Sequence, residues 1–243
     1  MKALVIKKSA FKRLASITLA LVLCVGVISA GFSVNAAPAG SVSESSVTLT
    51  ETGDEKNYRN FLDENAQGVF AGSECVVDTT KLTASATDAG ITTIDNVPAY
   101  VLDKNNKYLE YTFEVSEAGL YNICVKYRPV EDTGRAIQVG FMIDGAYPYK
   151  ELENIQLSRF WVDEKLENGD RYLIDTEGNQ VRPVQVENYR WDEAWIKSNA
   201  GIYNDPLTVS LSAGTHTLRI VRQLEAAAFS QITFKKYQKP ISY

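Results

Sequence analysis

Apolar and polar side chains alternate along most of the chain from residue 69 onward, and this period of two limits the fold more than any other feature. Segment 107–115 is the clearest case, because Leu109, Tyr111 and Phe113 point to one side and the residues between them point to the other. Similar runs occur at 120–127, 137–143, 207–211, 215–221 and 229–234. A period of two is typical of a strand with one buried face.

Strands of this length, separated by turn signals, predict two antiparallel sheets packed together. The predicted fold class is therefore all-β, an antiparallel jelly-roll β-sandwich. The turn signal at 117–119 further predicts that 107–115 and 120–127 form a β-hairpin. Short helical turns are expected only near 151–155 and 192–197, with a helical or irregular lead-in at 58–67.

The first 36 residues have the features of a signal peptide. A basic stretch precedes an apolar run from Leu14 to Phe32, and small residues at Val34 and Ala36 predict cleavage after Ala36. The basic residues are Lys2, Lys7, Lys8, Lys12 and Arg13. We therefore expect a secreted, extracellular protein. Retention at the membrane as a signal anchor is the alternative, because the apolar run could just span a bilayer.

The remaining chain divides into three parts by composition. Residues 37–64 are predicted to be a flexible linker and lead-in, 65–237 the β-sandwich, and 238–243 a tail or the start of a further linker. Removing the signal peptide moves the formal net charge from −5 to −10, because that segment holds five basic and no acidic side chains. An acidic protein repels phosphates, so nucleic acid is not an expected partner.

Cysteine usage indicates a core that needs no disulfide framework. Only Cys75 and Cys124 follow the predicted cleavage site, and both lie inside apolar, strand-like segments. Two buried thiols are the favoured interpretation, and one bridge between neighbouring strands is the alternative.

A polar, aromatic insert interrupts the strand pattern between Tyr147 and Tyr203. A structureless loop of this length is unusual in a compact domain. We expect extra strands, with 171–174 and 181–187 as candidates, or a functional surface. The insert contains all three tryptophans of the chain, Trp161, Trp191 and Trp195.

Familiar catalytic patterns are absent from the sequence. His216 is the only histidine and shares a strand face with Leu218 and Ile220, which predicts a packed side chain. No nucleophile elbow or phosphate-binding glycine loop is present. A pair of carboxylates, as in glycoside hydrolysis, cannot be recognised from spacing. We therefore expect that the protein is not an enzyme.

The insert combines the side chains that bind sugars. Aromatic rings can stack on the apolar face of a sugar, and amides, acids and arginines can bond its hydroxyl groups. Each aromatic ring could equally belong to the core. The predicted ligand-binding residues are Arg159, Trp161, Asp163, Tyr172, Arg182, Gln185, Tyr189, Trp191, Trp195 and Tyr203.

Calcium is the only cofactor that the sequence suggests. Glu74 and Asp144 lie near the ends of two predicted strands and are candidate oxygen ligands for a structural calcium ion.

The run Arg135–Gly145, followed by Pro148, Glu151 and Leu157-Ser-Arg-Phe-Trp161, resembles galactose-binding-domain-like jelly rolls. These sandwiches occur in carbohydrate-binding modules and at the N-terminus of extracellular solute-binding proteins of Gram-positive sugar ABC transporters. Further matching stretches are 175–179, 182–187, Trp191, 205–207 and 211–218. The resemblance spans roughly 65–237 and implies a tight hairpin at 211–218.

The resemblance and the aromatic insert together predict a secreted, non-catalytic carbohydrate-binding module that serves sugar capture or uptake. Its expected partners are oligo- or polysaccharides, with association with envelope or transporter proteins. The family's sandwich is commonly followed by a large solute-binding domain, so the chain is expected to be a truncated or split version. A structural or protein-interaction sandwich is the alternative function, and a glycoside hydrolase or lyase is the third.

Overall fold

The computed structural model describes residues 56–166 and 173–240. The predicted signal peptide, the first part of the linker, Tyr172 and residues 241–243 lie outside this range. Helix α1 spans Tyr58–Glu64, and a 3₁₀ turn spans Lys150–Glu153. The strands are β1 Cys75–Val77, β2 Ala84–Ser85, β3 Thr92–Ile94, β4 Val97–Leu102, β5 Tyr108–Val115, β6 Gly119–Pro129, β7 Ile137–Ile143, β8 Ile155–Leu157, β9 Trp161–Asp163, β10 Leu173–Ile174, β11 Gln180–Val181, β12 Gln185–Glu187, β13 Asp192–Trp195, β14 Thr208–Leu211, β15 Gly214–Leu224 and β16 Ala227–Lys235.

Two antiparallel sheets build the domain, which confirms the predicted all-β sandwich. The first sheet has seven strands along the path β13-β6-β16-β4-β3, with β14 added to β6 and β1 added to β16. The second has five strands in the order β2-β5-β15-β7-β8. Their inner faces form one core, in which Phe113 of β5 stacks on Phe234 of β16 with ring centroids 4.8 Å apart.

The core extends into the segment before residue 65. Asn57 caps helix α1 by accepting a hydrogen bond from the backbone N–H of Asn60 (2.9 Å), and Tyr58 and Phe61 are buried. Both rings pack against Tyr149, with centroids 4.8 and 5.1 Å away. The helix is therefore a part of the packed domain, although composition places it in the lead-in.

The two predicted hairpins are wrong, although their strands are right. Strand β5 pairs with β15 and β2, whereas β6 pairs with β16, β13 and β14 in the other sheet. Similarly, β14 pairs with β6 while β15 pairs with β5 and β7. Each tight connection therefore crosses from one sheet to the other. Alternation identifies the buried face of a strand but not its partner, so both arrangements fit the same pattern.

The insert between Tyr147 and Tyr203 contains extra strands, which confirms one of the two expectations for it. Strand β9 pairs with β12, and β10 pairs with β11, in two separate two-stranded ribbons. The helical turn expected at 192–197 is wrong, because Asp192–Trp195 is β13, an edge strand on β6. The turn near 151–155 is confirmed as the 3₁₀ turn at Lys150–Glu153.

Cys75 and Cys124 are both free and buried. They lie on β1 and β6, which flank β16 on opposite sides. Within residues 56–166 and 173–240, no helix is long and apolar enough to cross a membrane.

Candidate functional site

The ribbon of β9 and β12 brings three predicted ligand residues together. Trp161 and Asp163 alternate onto one side of β9, and the register places Gln185 opposite Asp163 on the same side. The Gln185 amide donates a hydrogen bond to the Asp163 carboxylate. Trp161 remains 49% exposed, an unusual degree of exposure for a tryptophan. We call this surface of Trp161, Asp163 and Gln185 the ribbon face.

Arg159, which was predicted as a ligand residue, is buried and holds the ribbon to the rest of the domain. Its side chain is only 4% exposed and forms ion pairs with Glu187, opposite Trp161 on β12, and with Glu225 (3.0 Å). Its Nε also donates to the backbone carbonyl of Arg135 (2.7 Å). The guanidinium therefore joins the ribbon to the β6–β7 loop and to the β15–β16 turn.

Glu225 fixes the loop on which Trp161 rests. Its fully buried carboxylate accepts hydrogen bonds from the backbone N–H groups of Thr133 (2.9 Å) and Gly134 (3.1 Å). Burial would raise the pKa of Glu225, but the hydrogen bond from the Thr133 hydroxyl, the two backbone hydrogen bonds and the Arg159 charge lower it below its usual value. Trp161 lies against Gly134, where an added Cβ would be 4.0 Å from the indole ring. The exposed indole thus lies close to the loop that Glu225 holds in place.

The opposite side of the same ribbon is apolar. Val162, Val184 and Val186 are exposed there by 43%, 65% and 37%. We call these three side chains the valine face. The neighbouring β10–β11 ribbon exposes Leu173, Ile174 and Val181 as well.

Three further predicted ligand residues lie outside the ribbon face, although Tyr189 interacts with Glu187 beside it. Trp191 is partly buried and donates from its indole N–H to the Ile94 carbonyl (3.3 Å). The Tyr189 ring packs beside the guanidinium of Arg128, 5.7 Å from the ring centroid. Arg182 is exposed between β11 and β12.

The remaining two predicted residues, Trp195 and Tyr203, lie at a groove of about 780 Å³ between helix α1, the loop 202–206 and residues 236–239. Tyr203 lines this groove, and Trp195 touches its wall through an edge contact with Tyr237 (centroids 5.0 Å apart). We call this cavity the terminal groove.

Sequence reasoning missed most of the terminal groove. Its lining includes Leu62, Phe70, Ile202, Asn204, Tyr237 and Gln238. These residues are far apart in sequence and belong to segments without strand periodicity. Only the concentration of aromatic residues near both ends of the domain could have indicated them.

A buried asparagine holds the terminal groove in shape. The Asn122 amide group lies 3.1 Å from the Pro206 carbonyl, the Leu207 carbonyl and the Thr208 hydroxyl. Its side-chain oxygen accepts a hydrogen bond from the backbone N–H of Tyr237 (2.9 Å). One 3%-exposed side chain therefore ties two walls of the groove together.

His216 is packed, as predicted, and takes part in an arrangement of Ser212, His216 and Asp144. Nδ1 of His216 lies 2.6 Å from the Asp144 carboxylate, and Nε2 lies 3.2 Å from the Ser212 hydroxyl. Nε2 also lies 3.0 Å from the Ser212 backbone carbonyl oxygen. A carbonyl oxygen can only accept a hydrogen bond, so Nε2 must be the donor. A ring that donates from both nitrogens is protonated and cannot accept the serine proton. This geometry fits a structural clamp.

Asp144, one of the two candidate calcium ligands, is hydrogen-bonded to neighbouring groups of the protein. Both carboxylate oxygens of Asp144 are engaged, one by His216 and the other by the backbone N–H of Thr217 (2.8 Å). The described part of the chain has no group of three or more His, Cys, Asp or Glu side chains that could hold a metal ion. A structural calcium ion at Glu74 and Asp144 therefore stays a prediction from the sequence.

No protein-family model and no curated protein matches the chain. Among solved structures, a family 35 carbohydrate-binding module from Clostridium thermocellum is similar over 67% of this chain and 98% of its own, at 12% identity and a TM-score of 0.35. The C-terminal family 6 module of the laminarinase LamC from Zobellia galactanivorans is similar over 68% and 100%, at 12% identity and a TM-score of 0.36.

The catalytic domain of a family 87 α-1,3-glucanase, solved with nigerose, is similar over 73% of this chain at 12% identity and a TM-score of 0.39. The similar region is only 30% of that larger chain. The similarities are distant, and the sugars belong to the proteins in which they were found.

Proposed function

We propose that the protein is a secreted, non-catalytic carbohydrate-binding module that binds glycans on the ribbon face. The observation that carries this proposal is Trp161, a half-exposed indole beside the polar side chains of Asp163 and Gln185. Secretion rests on the basic and apolar pattern of residues 1–36.

The chemistry of the ribbon face suits a sugar ring. The indole offers a flat apolar surface for stacking, and the adjacent carboxylate and amide can bond hydroxyl groups at the rim of the sugar. The buried Arg159–Glu225 ion pair fixes the supporting loop before any ligand arrives. Such preorganisation lowers the entropy cost of binding.

The same network supports a non-catalytic role. A glycoside hydrolase needs two carboxylates that face a substrate. Glu187 and Glu225 lie near Trp161, but both are engaged by the Arg159 guanidinium and almost fully buried. In this arrangement, neither carboxylate is free to protonate or attack a glycosidic bond.

The test is a glycan array probed with the mature chain, residues 37–243, with and without calcium. We expect selective binding that Trp161→Ala abolishes and Trp161→Phe partly restores, because a smaller ring still stacks. Val184→Ala, on the opposite side of the ribbon, is the matched control and should bind as the parent does. Circular dichroism must show that all variants remain folded. Absence of glycan binding, or binding that survives Trp161→Ala, would contradict the proposal.

The valine face favours a second candidate function, a protein-interaction sandwich of the cell envelope. Exposed apolar side chains in a cluster commonly mark contact surfaces. In this case Val184→Asp, and not Trp161→Ala, would abolish co-sedimentation of the mature chain with Gram-positive cell envelopes. The specific envelope partner that we expect for such a surface is a sugar-uptake transporter.

A further inference from the structure

We propose that the terminal groove is a second binding site, specific for sugars that carry an acetamido group. The groove is formed by helix α1, the loop 202–206 and residues 236–239, whereas the ribbon face is formed by β9 and β12. The two sites share no residue, so this inference does not rest on glycan binding at Trp161.

The groove is built before a ligand arrives. Asn122 joins its loop wall to its C-terminal wall through hydrogen bonds that use both ends of a buried amide. On the helix side, the Tyr58 hydroxyl accepts a hydrogen bond from the Thr208 backbone N–H (3.1 Å), and the Tyr58 ring meets Tyr203 edge-on. A volume of about 780 Å³ is within the usual range for ligand pockets.

The apolar lining of the groove combines two kinds of surface. Tyr203 and Tyr237 supply rings on which a sugar face can stack, whereas the Phe70 ring has the Lys236 ammonium group over it. Leu62 and Ile202 supply aliphatic side chains that are 39% and 74% exposed. Hydroxyl groups gain nothing from an aliphatic wall, whereas a methyl group does. The groove therefore suits a sugar that bears an apolar substituent.

Two side-chain amides in the same groove match the rest of an acetamido group. Asn204 and Gln238 are exposed residues of the lining, so their amides are open to a ligand. An acetamido group presents one N–H donor, one carbonyl acceptor and one methyl group. A carboxamide can bond both polar atoms, because it carries an acceptor and two donors.

The charges at the groove disfavour a deacetylated sugar. Asp205, the one acidic residue of the lining, is paired with Lys239 (2.7 Å). The ammonium group of Lys236 lies 5.6 Å from the centroid of the Phe70 ring and adds a positive charge. A sugar with a free ammonium group would meet this charge without a free carboxylate to offset it.

The experiment compares chitotetraose with cellotetraose by isothermal titration calorimetry on the mature chain. These tetrasaccharides differ only in an acetamido or a hydroxyl group at each C2. We expect chitotetraose to bind at least about tenfold more tightly, since only its acetamido groups offer a methyl group to the aliphatic wall and a carbonyl and an N–H to the amides. Chitosan tetramer should bind more weakly than chitotetraose as well.

Substitutions locate the site. Ile202→Ser should weaken chitotetraose binding by about three- to tenfold through lost methyl contact, and Asn204→Ala should do so by a similar factor. Ile91→Ser is the matched control, because Ile91 is also exposed (47%) but does not line the groove. Ile91→Ser should not change this affinity.

Equal affinity for the two tetrasaccharides, or no binding of chitotetraose, would overturn the inference. So would chitotetraose binding that Trp161→Ala abolishes and Ile202→Ser leaves intact, since the ligand would then occupy the ribbon face. The two proposals can fail separately. If Trp161→Ala does not affect glycan binding on the array, but chitotetraose is still preferred and this preference depends on the groove, then the ribbon-face site is refuted and the terminal-groove site is retained.

Discussion

At the scale of single residues, most buried polar groups in the described part of the chain have a hydrogen-bond partner, but the hydroxyl group of one core tyrosine does not. The Tyr111 hydroxyl is fully buried in β5 and has no hydrogen-bond partner among the described residues. Burial also raises the pKa of Tyr111 well above its ordinary value. By contrast, the equally buried Tyr127 hydroxyl donates to the Ser158 carbonyl (2.9 Å). The two tyrosines differ in the partner and not in the depth of burial.

Tyr111→Phe should therefore stabilise the fold by about 1 kcal/mol, because it removes the desolvation cost of an unpaired hydroxyl. Tyr127→Phe is the matched control and should destabilise the fold by about 1 kcal/mol, since it leaves the Ser158 carbonyl without its donor. Urea denaturation measures both free energies of unfolding. A destabilised Tyr111→Phe would mean that the hydroxyl has a partner, such as a buried water molecule.

His216 makes stability depend on pH near neutrality. Its burial alone would lower the pKa, but hydrogen bonds to Asp144 and to the Ser212 carbonyl outweigh burial and raise the pKa above 6.5. A raised pKa means that protonation stabilises the folded state. The contribution is complete below about pH 6.5 and is lost as the pH rises through the folded-state pKa.

The free energy of unfolding should accordingly fall from pH 6 to pH 8 by more in the parent chain than in His216→Gln, which does not titrate. Asp144→Asn should also flatten the profile, because it removes the carboxylate that favours the charged ring. Urea denaturation at several pH values provides the comparison. Parallel profiles for the parent and His216→Gln would show that this histidine does not contribute.

At the scale of elements, the Arg159–Glu225 pair connects three segments that are distant in sequence: the ribbon, the β6–β7 loop and the β15–β16 turn. Glu225→Gln keeps the shape of the side chain but places an amide donor against the N–H groups of Thr133 and Gly134. It also removes one of the negative charges beside Arg159. We expect a loss of about 2–3 kcal/mol in the free energy of unfolding.

The same variant should weaken glycan binding at Trp161, because the loop under the indole loses its anchor. Glu117→Gln is a suitable control, since that exposed carboxylate also binds backbone N–H groups, at Gly72 and Ser73, away from the ribbon. Unchanged stability and unchanged binding in Glu225→Gln would contradict the supporting role of the network.

Six strands with one buried face could be predicted from the sequence, but their partners could not, and Asp192–Trp195 was expected to be a helical turn. Alternation located 137–143 as Ile137–Ile143, residue for residue, because a one-sided buried face imposes a period of two. It did not show that the turn at 117–119 crosses between sheets, since both strands bury one face in either arrangement. Likewise, residue types indicated Trp161, Asp163 and Gln185 as candidates, but the buried role of Arg159 depends on Glu225, 66 residues away.

At the scale of the whole molecule, a β-sandwich carries two surfaces of different origin. The ribbon face belongs to the long insert, whereas the terminal groove unites the first helix, the loop before β14 and the residues after β16. The terminal groove could not be predicted, because only the completed fold brings these segments together. The ribbon face consists of exposed or partly exposed residues of the insert, whereas the groove shares the buried Tyr58 with the core.

The measurement that tests the central claim most directly is a calorimetric titration of the mature chain with the glycan that binds best on the array, repeated with Trp161→Ala. The account predicts saturable binding to the parent chain and a loss of at least about tenfold in affinity in the variant, with an unchanged melting temperature. Equal affinities for the parent and for a folded Trp161→Ala chain would contradict it.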